Sequence, residues 1–517
     1  MPIAPVLLKC PVCGLELPAP LPAFCPRPTC GVEFLPGDSA SVRLRTFRLV
    51  GHYALFVLPF SFPEADGADP LRRIAESGRW RPRVFSASNA DDVDRTEYFL
   101  PYIRRFLFPT LYQVSGAAAV GSDPEPTCRH FDFDLAALGG GPKGVELTLH
   151  CHDGRAKVRF TYRVRLTKAE LMLFSSQVGF LVLRVECADD GATWFDQMNV
   201  VAALRTLAPL YRGFEMPQLE AGSERYNGPQ LVQYLLAEFG GRLILRGPAE
   251  APAAGPLPVR PIYDDRMMVY TFSCLDKETC LADAARCQAL LHRTAVVNFD
   301  REASTLPEGE TAEQDPTAWL RIRWQSFSKD GGSLVVFNTD AYHERYAGAY
   351  HGTYYFDIFL LAALQRVTLL TLFERLADIQ ALTRGGGASR RRLRRLRRDL
   401  LLFKNQCWFS QITNRERGLV LWKKWQKTLE TGTLFREVNQ QAEELNNYMQ
   451  QRYRERMDWL VRLGGFLGTA LPAIWGMRLA FGDAPWVDHV RWILMAVLFV
   501  GVAVFAWFVV FRPSEED

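Results

Sequence analysis

Ile493 to Phe511 reads ILMAVLFVGVAVFAWFVVF, nineteen residues without a charge. At ~1.5 Å per residue it spans roughly 28 Å, about the hydrocarbon thickness of a bilayer. A second apolar run precedes it. Leu463 to Phe481 reads LGGFLGTALPAIWGMRLAF, interrupted by Thr469, Pro472 and Arg478. Some ten residues separate the runs, so the second helix must turn straight back. The pair predicts a helical hairpin through a membrane, in preference to two buried core helices.

Arginines orient the hairpin. Arg452, Arg454, Arg456 and Arg462 lead into the first run, whereas only Arg478 and Arg491 flank the connecting loop. Positive residues stay on the cytoplasmic side. The expected protein is two-pass in the inner membrane, with both termini cytosolic. Some 455 of its 517 residues precede the membrane, enough for two or three soluble domains. The net charge of +4 is close to balance and says little about partners. No charged stretch with an apolar follow-on opens the chain, so no cleaved signal is expected.

Four of the eleven cysteines fall within the first thirty residues. Cys10 and Cys13 form CxxC before Gly14, and Cys25 and Cys30 follow before Gly31. Paired thiolates on tight turns bind Zn2+ tetrahedrally, and glycine lets the backbone curl around sulfur. The expectation is a structural zinc ribbon over residues 1–40. The second pair has four intervening residues where two are usual. The other cysteines are scattered, as expected of reduced cytosolic thiols.

A mixed α/β domain is expected over residues 41–345. Strands are predicted at Val42–Leu58, Val145–Leu149, Ala156–Val164, Gly179–Val185 and Ser333–Asn338. Helices are predicted at Leu231–Phe239 and Ala282–Arg293. Arg246–Pro261 and Glu302–Pro316 have loop composition. His150 and His152 would share a strand face, yet read better as ordinary strand residues than as metal ligands. Cys274, Cys280 and Cys287 lack ligand spacing and read as buried thiols. Cys128, His130, Asp132 and Asp134 form a weak polar cluster. No phosphate loop, nucleophile elbow or zinc-protease motif is present. Nothing points to an enzyme.

Residues 346–458 read as fold-back helices and a stalk. Thr353–Thr383 is one long helix, and the glycines after Arg384 make a turn. Ser389 would cap SRRRLRRLRRDLLLF, in which Leu393, Leu396 and Leu400 recur at helical spacing among seven arginines. Gly432 would break the chain, after which one helix runs into the bilayer. The hairpin would occupy residues 459–512 and an acidic cytosolic tail residues 513–517.

This layout resembles the CorA-type magnesium transporters. In that family a cytosolic α/β domain, two fold-back helices and a long stalk precede two transmembrane segments, and a Gly-Met-Asn signature closes the first. Here Trp475-Gly476-Met477-Arg478 stands at that place, and Thr469 matches the spacing of a polar pore residue. The resemblance covers Tyr350 to Phe511 in layout, is coarse before that, and leaves the zinc ribbon outside. It implies a homopentamer conducting Mg2+ or another divalent cation, with Thr469, Ala473, Gly476, Met477 and Arg478 on the path. Glu455, Asp458, Arg462 and Gly465 would follow on the same face.

Arg478 departs from the signature. Magnesium sheds water reluctantly, so an amide ring at the pore mouth recognises its hydration shell. A ring of five guanidinium groups opposes cations instead. Asp483 and Asp488 would offset it in part. The alternative is a gated membrane effector that keeps the pore, has lost magnesium selectivity and responds to a small cytosolic ligand. A purely structural membrane anchor is a third reading. Nucleic acid ranks last among partners, because the rest of the chain is not basic.

Overall fold

The computed structural model describes residues 48–62, 76–113, 127–153, 158–189, 191–208, 215–222, 224–239, 259–263, 265–276, 323–338, 346–381 and 386–448, with shorter pieces at 33–34, 44–45, 73–74 and helical positions between 450 and 497. Cys10, Cys13, Cys25 and Cys30 lie outside the described residues. So do the predicted helix Ala282–Arg293, Cys280, Cys287, Glu455 and the stretch Thr469 to Arg478.

Two short strands, β1 (Glu33–Phe34) and β2 (Leu44–Arg45), pair antiparallel. The remaining strands form one twelve-stranded sheet. They are β3 (Leu49–Ser61), β4 (Trp80–Pro82), β5 (Cys128–Phe133), β6 (Val145–Asp153), β7 (Val158–Phe174), β8 (Val178–Cys187), β9 (Gln218–Ala221), β10 (Glu224–Asn227), β11 (Arg260–Pro261), β12 (Met268–Asp276), β13 (Arg323–Ser328) and β14 (Gly331–Asn338). The main path runs β10-β9-β6-β7-β8-β3-β12-β14-β13. All pairings are antiparallel except β12 with β14. The longer helices among the described residues are α1 (Ala90–Glu97), α2 (Pro101–Leu107), α3 (Trp194–Arg205), α4 (Gly228–Leu235), α5 (Tyr354–Ala381), α6 (Gly386–Gln406), α7 (Glu416–Thr428) and α8 (431–448).

Alternation assigns the two faces of the sheet. Ala54, Phe56, Leu58 and Phe60 of β3 join Leu181, Leu183 and Val185 of β8 in one apolar core, with Val200, Val201 and Leu204 of α3. A capping box starts α3: Thr193 accepts from Asp196 N–H while Asp196 accepts from Thr193 N–H. Tyr53 and Tyr270 face the other way. Tyr270 stacks on His351 at 4.1 Å and on Phe359 of α5 at 5.2 Å. Trp425 of α7 lies 4.6 Å from Phe359. The sheet domain is therefore three-layered, helix on sheet on helix, which buries both apolar faces.

Strand β7 changes phase along its length. Val164 and Leu166 belong to the α3-side core, and so do Ala169, Leu171 and Leu173. The phase flips between Leu166 and Lys168, where the ladder to β8 shifts register. A bulge inserts one residue, here Thr167, and re-aims every side chain after it. Without it, Lys168 and Glu170 would point into an apolar core.

The chain divides into two compact units. The first comprises residues 1–368 and 406–432, so the first half of α5 and all of α7 belong with the sheet. The second comprises residues 369–405 and 433–517. In it α5 continues into a fold-back, with Arg375 bound to Asp399 of α6 at 3.2 Å, and α6 packs on α8 through Phe403 and Phe435. The single long helix predicted at 353–383 is α5. Among the described residues it is the one helix apolar and long enough to cross a membrane, yet 83% of its apolar window is buried inside the protein. It is a core helix.

Two predicted boundaries move. Ser389 does not cap α6, because the helix begins at Gly386 and Ser389 lies inside it. The break before the stalk falls not at Gly432 but at Leu429 and Glu430. Glu430 takes a left-handed φ of 53°, which ends α7, and the helix resumes at residue 431.

Candidate functional site

The face of the sheet turned toward α1 and the start of α5 carries a cavity of about 340 Å3. Its floor comes from three neighbouring strands. Leu55 of β3 pairs with Arg184 of β8, and Arg184 pairs with Lys168 of β7. Glu170 follows on the same face. Arg83, Asp91, Asp92, Asp94 and Arg95 form one wall, and Tyr350, Thr353 and Tyr354 the other.

Local sequence explains the walls. Asn89 caps α1 by accepting from Asp91 N–H, and Asp91 and Asp92 sit in the first turn, where the helix dipole favours acids. Asp92 also accepts from Ser86 N–H at 3.1 Å. Arg95, one turn later, reaches into the protein and makes a bidentate pair with Asp357 of α5, at 2.6 and 2.5 Å. Both side chains are buried, and the guanidinium also lies 5.6 Å from the ring centres of Phe85 and Phe108. Gly348 and Gly352 let the chain leading into α5 sit close on the sheet. A Cβ on Gly352 would stand 2.8 Å from Tyr53 Oη, and one on Gly348 would stand 2.7 Å from the Phe272 ring. In that seat Tyr53 Oη donates to the Gly348 carbonyl at 2.6 Å.

The charges are organised in pairs. Arg83 binds Glu170 at 3.0 Å and approaches Asp92 at 3.5 Å. Lys168 binds Glu170 closely and reaches Asp132 at 3.8 Å. Arg184 binds Glu186 at 3.1 Å and lies over the Tyr53 ring at 4.1 Å. Burial pushes the Glu170 carboxyl up, but Lys168, Arg95 and Arg83 outweigh it and hold the group down at about 2. Glu170 is thus a permanent carboxylate that acts as counter-ion and acceptor. Beneath the wall, burial and Arg95 hold His130 neutral, down to about 3, and its Nε2 bonds the Leu107 carbonyl at 2.7 Å.

The arrangement suits binding of a small charged molecule. Lys168 and Arg184 lie side by side, and each side chain keeps more than a third of its surface accessible (38% and 37%). An anionic group placed between them would meet two cations already fixed by carboxylates. Asp91 and Asp94 stand exposed at the rim. Tyr350 and Tyr354 stack 5.4 Å apart on one side, and Tyr354 stacks on Tyr98 at 4.1 Å.

Among the described residues, none of the sequence-predicted site residues lines this cavity. Asp458, Arg462 and Gly465 are helical and exposed. His150 meets Glu220 at 3.1 Å across the β6–β9 ladder. Among the described residues no group of three or more His, Cys, Asp or Glu side chains is placed to hold a metal. Cys274 is buried, as its spacing suggested. Cys128 and His130 share the buried face of β5, with Sγ and Nε2 3.4 Å apart, while Asp134 instead caps a 3-10 turn and pairs with Arg81. Sequence reading passed over Arg184, Lys168, Glu170 and Asp357. For Arg184 and Asp357 the signal was a charge inside an apolar run, as in GFLVLRV and FDIFLLAALQ. A buried strand or helix carries such a charge only with a partner.

No family model matches the chain, and no curated protein or solved structure matches it either.

Proposed function

We propose that the chain is a two-pass inner-membrane protein of CorA-like layout whose cytosolic sheet domain binds a small charged ligand and thereby controls a pentameric pore. The cavity at the root of α5 carries this reading. Its walls include the residues that open α5, and α5 continues without a break through residue 381. A ligand that favours one placement of Tyr350 and Tyr354 would bias that helix, and by its differential affinity shift a gating equilibrium. The membrane part rests on the runs 463–481 and 493–511. It is supported by the exposure of Val461, Trp492, Ile493 and Val497 (61–73%), apolar surface that water disfavours.

The competing reading is constitutive transport of Mg2+ or another divalent cation along Thr469, Ala473, Gly476 and Met477. Arg478 at the signature position favours gating over selective transport. In either reading Cys10, Cys13, Cys25 and Cys30 would hold one structural Zn2+.

Flux of Mg2+, Zn2+, Ni2+ and chloride into liposomes carrying the full chain tests conduction. Thermal shift of the same protein with inorganic phosphate, AMP and glutamate at up to about 10 mM tests the cavity. Lys168→Gln and Arg184→Gln should abolish the shift. Absence of any shift, together with flux that Lys168→Gln leaves unchanged, would defeat the ligand-gating reading.

A further inference from the structure

We infer that the arginine face of α6 docks on anionic lipid headgroups of the membrane that the same chain spans; this rests on the membrane reading under Proposed function. Helix α6 is two-sided. Leu393, Leu396, Leu400 and Phe403 are buried, while Arg392, Arg394, Arg395, Arg397 and Arg398 are exposed. Arg397 bonds Asn446 and Arg398 approaches Asp399 at 3.5 Å. Arg392, Arg394 and Arg395 have no carboxylate partner among the described residues.

The packing direction decides where those arginines point. Arg397 Nη1 donates to Asn446 Oδ1 of α8 at 2.7 Å, and Phe403 lies 6.4 Å from Phe435. As α6 ascends from 397 to 403, α8 descends from 446 to 435, so the two helices are antiparallel. The N-terminal end of α6 therefore points the way α8 runs, toward the apolar segments. Described positions 450, 451, 454, 458, 461, 462 and 465 are all helical. At ~1.5 Å per residue, Val461, exposed and helical, stands about 23 Å beyond Asn446, and Arg392 about 8 Å beyond Arg397. That leaves Arg392 about 15 Å from the start of the apolar surface. The headgroup layer occupies about 6 Å of this, and an extended arginine reaches about 6 Å. Arg390 and Arg391 occupy backbone positions nearer still. A cluster of this size beside a membrane attracts anionic lipid over about one Debye length, ~8 Å at physiological salt.

The test uses the full chain in phosphatidylcholine vesicles with and without phosphatidylglycerol, following amide exchange across residues 386–403. Anionic lipid should slow exchange about tenfold, raised salt should reverse this, and the triple variant R392Q/R394Q/R395Q should lose it. Exchange indifferent to phosphatidylglycerol overturns the proposal. So does equal protection by added RNA in phosphatidylcholine alone, which would make the face a nucleic-acid surface. A response to deletion of Glu515 to Asp517 in the absence of anionic lipid would assign the arginines to the acidic tail instead and also overturns it. If an alkaline wash strips the chain from phosphatidylcholine vesicles, the spanning reading fails by itself. The stripped chain's binding to anionic vesicles, lost or kept in the triple variant, then decides the arginine face alone.

Discussion

Arg95 and Asp357 meet in the interior with two short hydrogen bonds, which stand in for the water each charge gives up. Asp357→Asn takes from a buried guanidinium its hydrogen-bonded carboxylate and should cost about 3–5 kcal/mol in urea unfolding of the sheet domain. The double variant Arg95→Leu/Asp357→Leu should recover much of that. A loss for Asp357→Asn below about 1 kcal/mol would mean that solvent reaches the pair. Acid should act in two stages. Burial holds His351 down at about 3 and His52 at about 4, the latter accepting from Cys187 N–H; His130 is held as low. These groups bind protons in the unfolded chain near 6.5 but not in the folded one, so stability falls as pH drops below about 6.5 and goes on falling toward 4. Glu170 is depressed in the opposite chemical sense. Its contribution is present above the unfolded carboxyl value and is lost as pH falls from about 4.5 to about 2. Urea midpoints that stay flat between pH 7 and pH 5 would contradict the histidine stage.

Among the elements, two glycines should respond in opposite directions. Gly331 opens β14 at φ +142°, and a Cβ there would stand 1.7 Å from the Val269 carbonyl oxygen. Gly331→Ala should therefore separate β14 from β12 locally and cost at least about 3 kcal/mol, read by urea unfolding. Gly432 sits in the first turn of α8 with nothing within 4 Å of a Cβ. Gly432→Ala should be neutral or stabilising by up to about 1 kcal/mol. A large loss at Gly432 would mean that the helix does not start before it. Helix α5 holds the same logic on a larger scale. Its apolar content alone would let it cross a bilayer, but aromatic partners such as Tyr270 and Trp425 cover it inside the sheet domain.

For the whole molecule, the expectations concern membrane and metal. The chain should resist alkaline extraction from membranes, and Arg478→Asn should raise divalent-cation flux in liposomes by removing a ring of positive charge. Unchanged flux in an assembled protein would mean that Arg478 does not face the path. Full-length protein should contain about one zinc per chain, lost in Cys10→Ser/Cys13→Ser under reducing conditions. Retention of zinc in that variant would remove the ribbon.

Local pattern was enough to read strands β3, β6, β7, β8 and β14, helix α5 and the buried state of Cys274, because alternation, helical spacing and apolar runs are written along the chain itself. Strands β4, β5, β9, β10, β12 and β13 escaped it. Several are only three or four residues long and take their structure from neighbours rather than from their own composition. The cavity lay beyond local pattern altogether. Leu55, Asp92, Lys168, Glu170, Arg184 and Tyr354 come from five separate elements, and a one-residue bulge at Thr167 decides which way two of them point. Long-range strand pairing settles such a phase, because a side chain's face is fixed by register with its neighbours and not by its own identity.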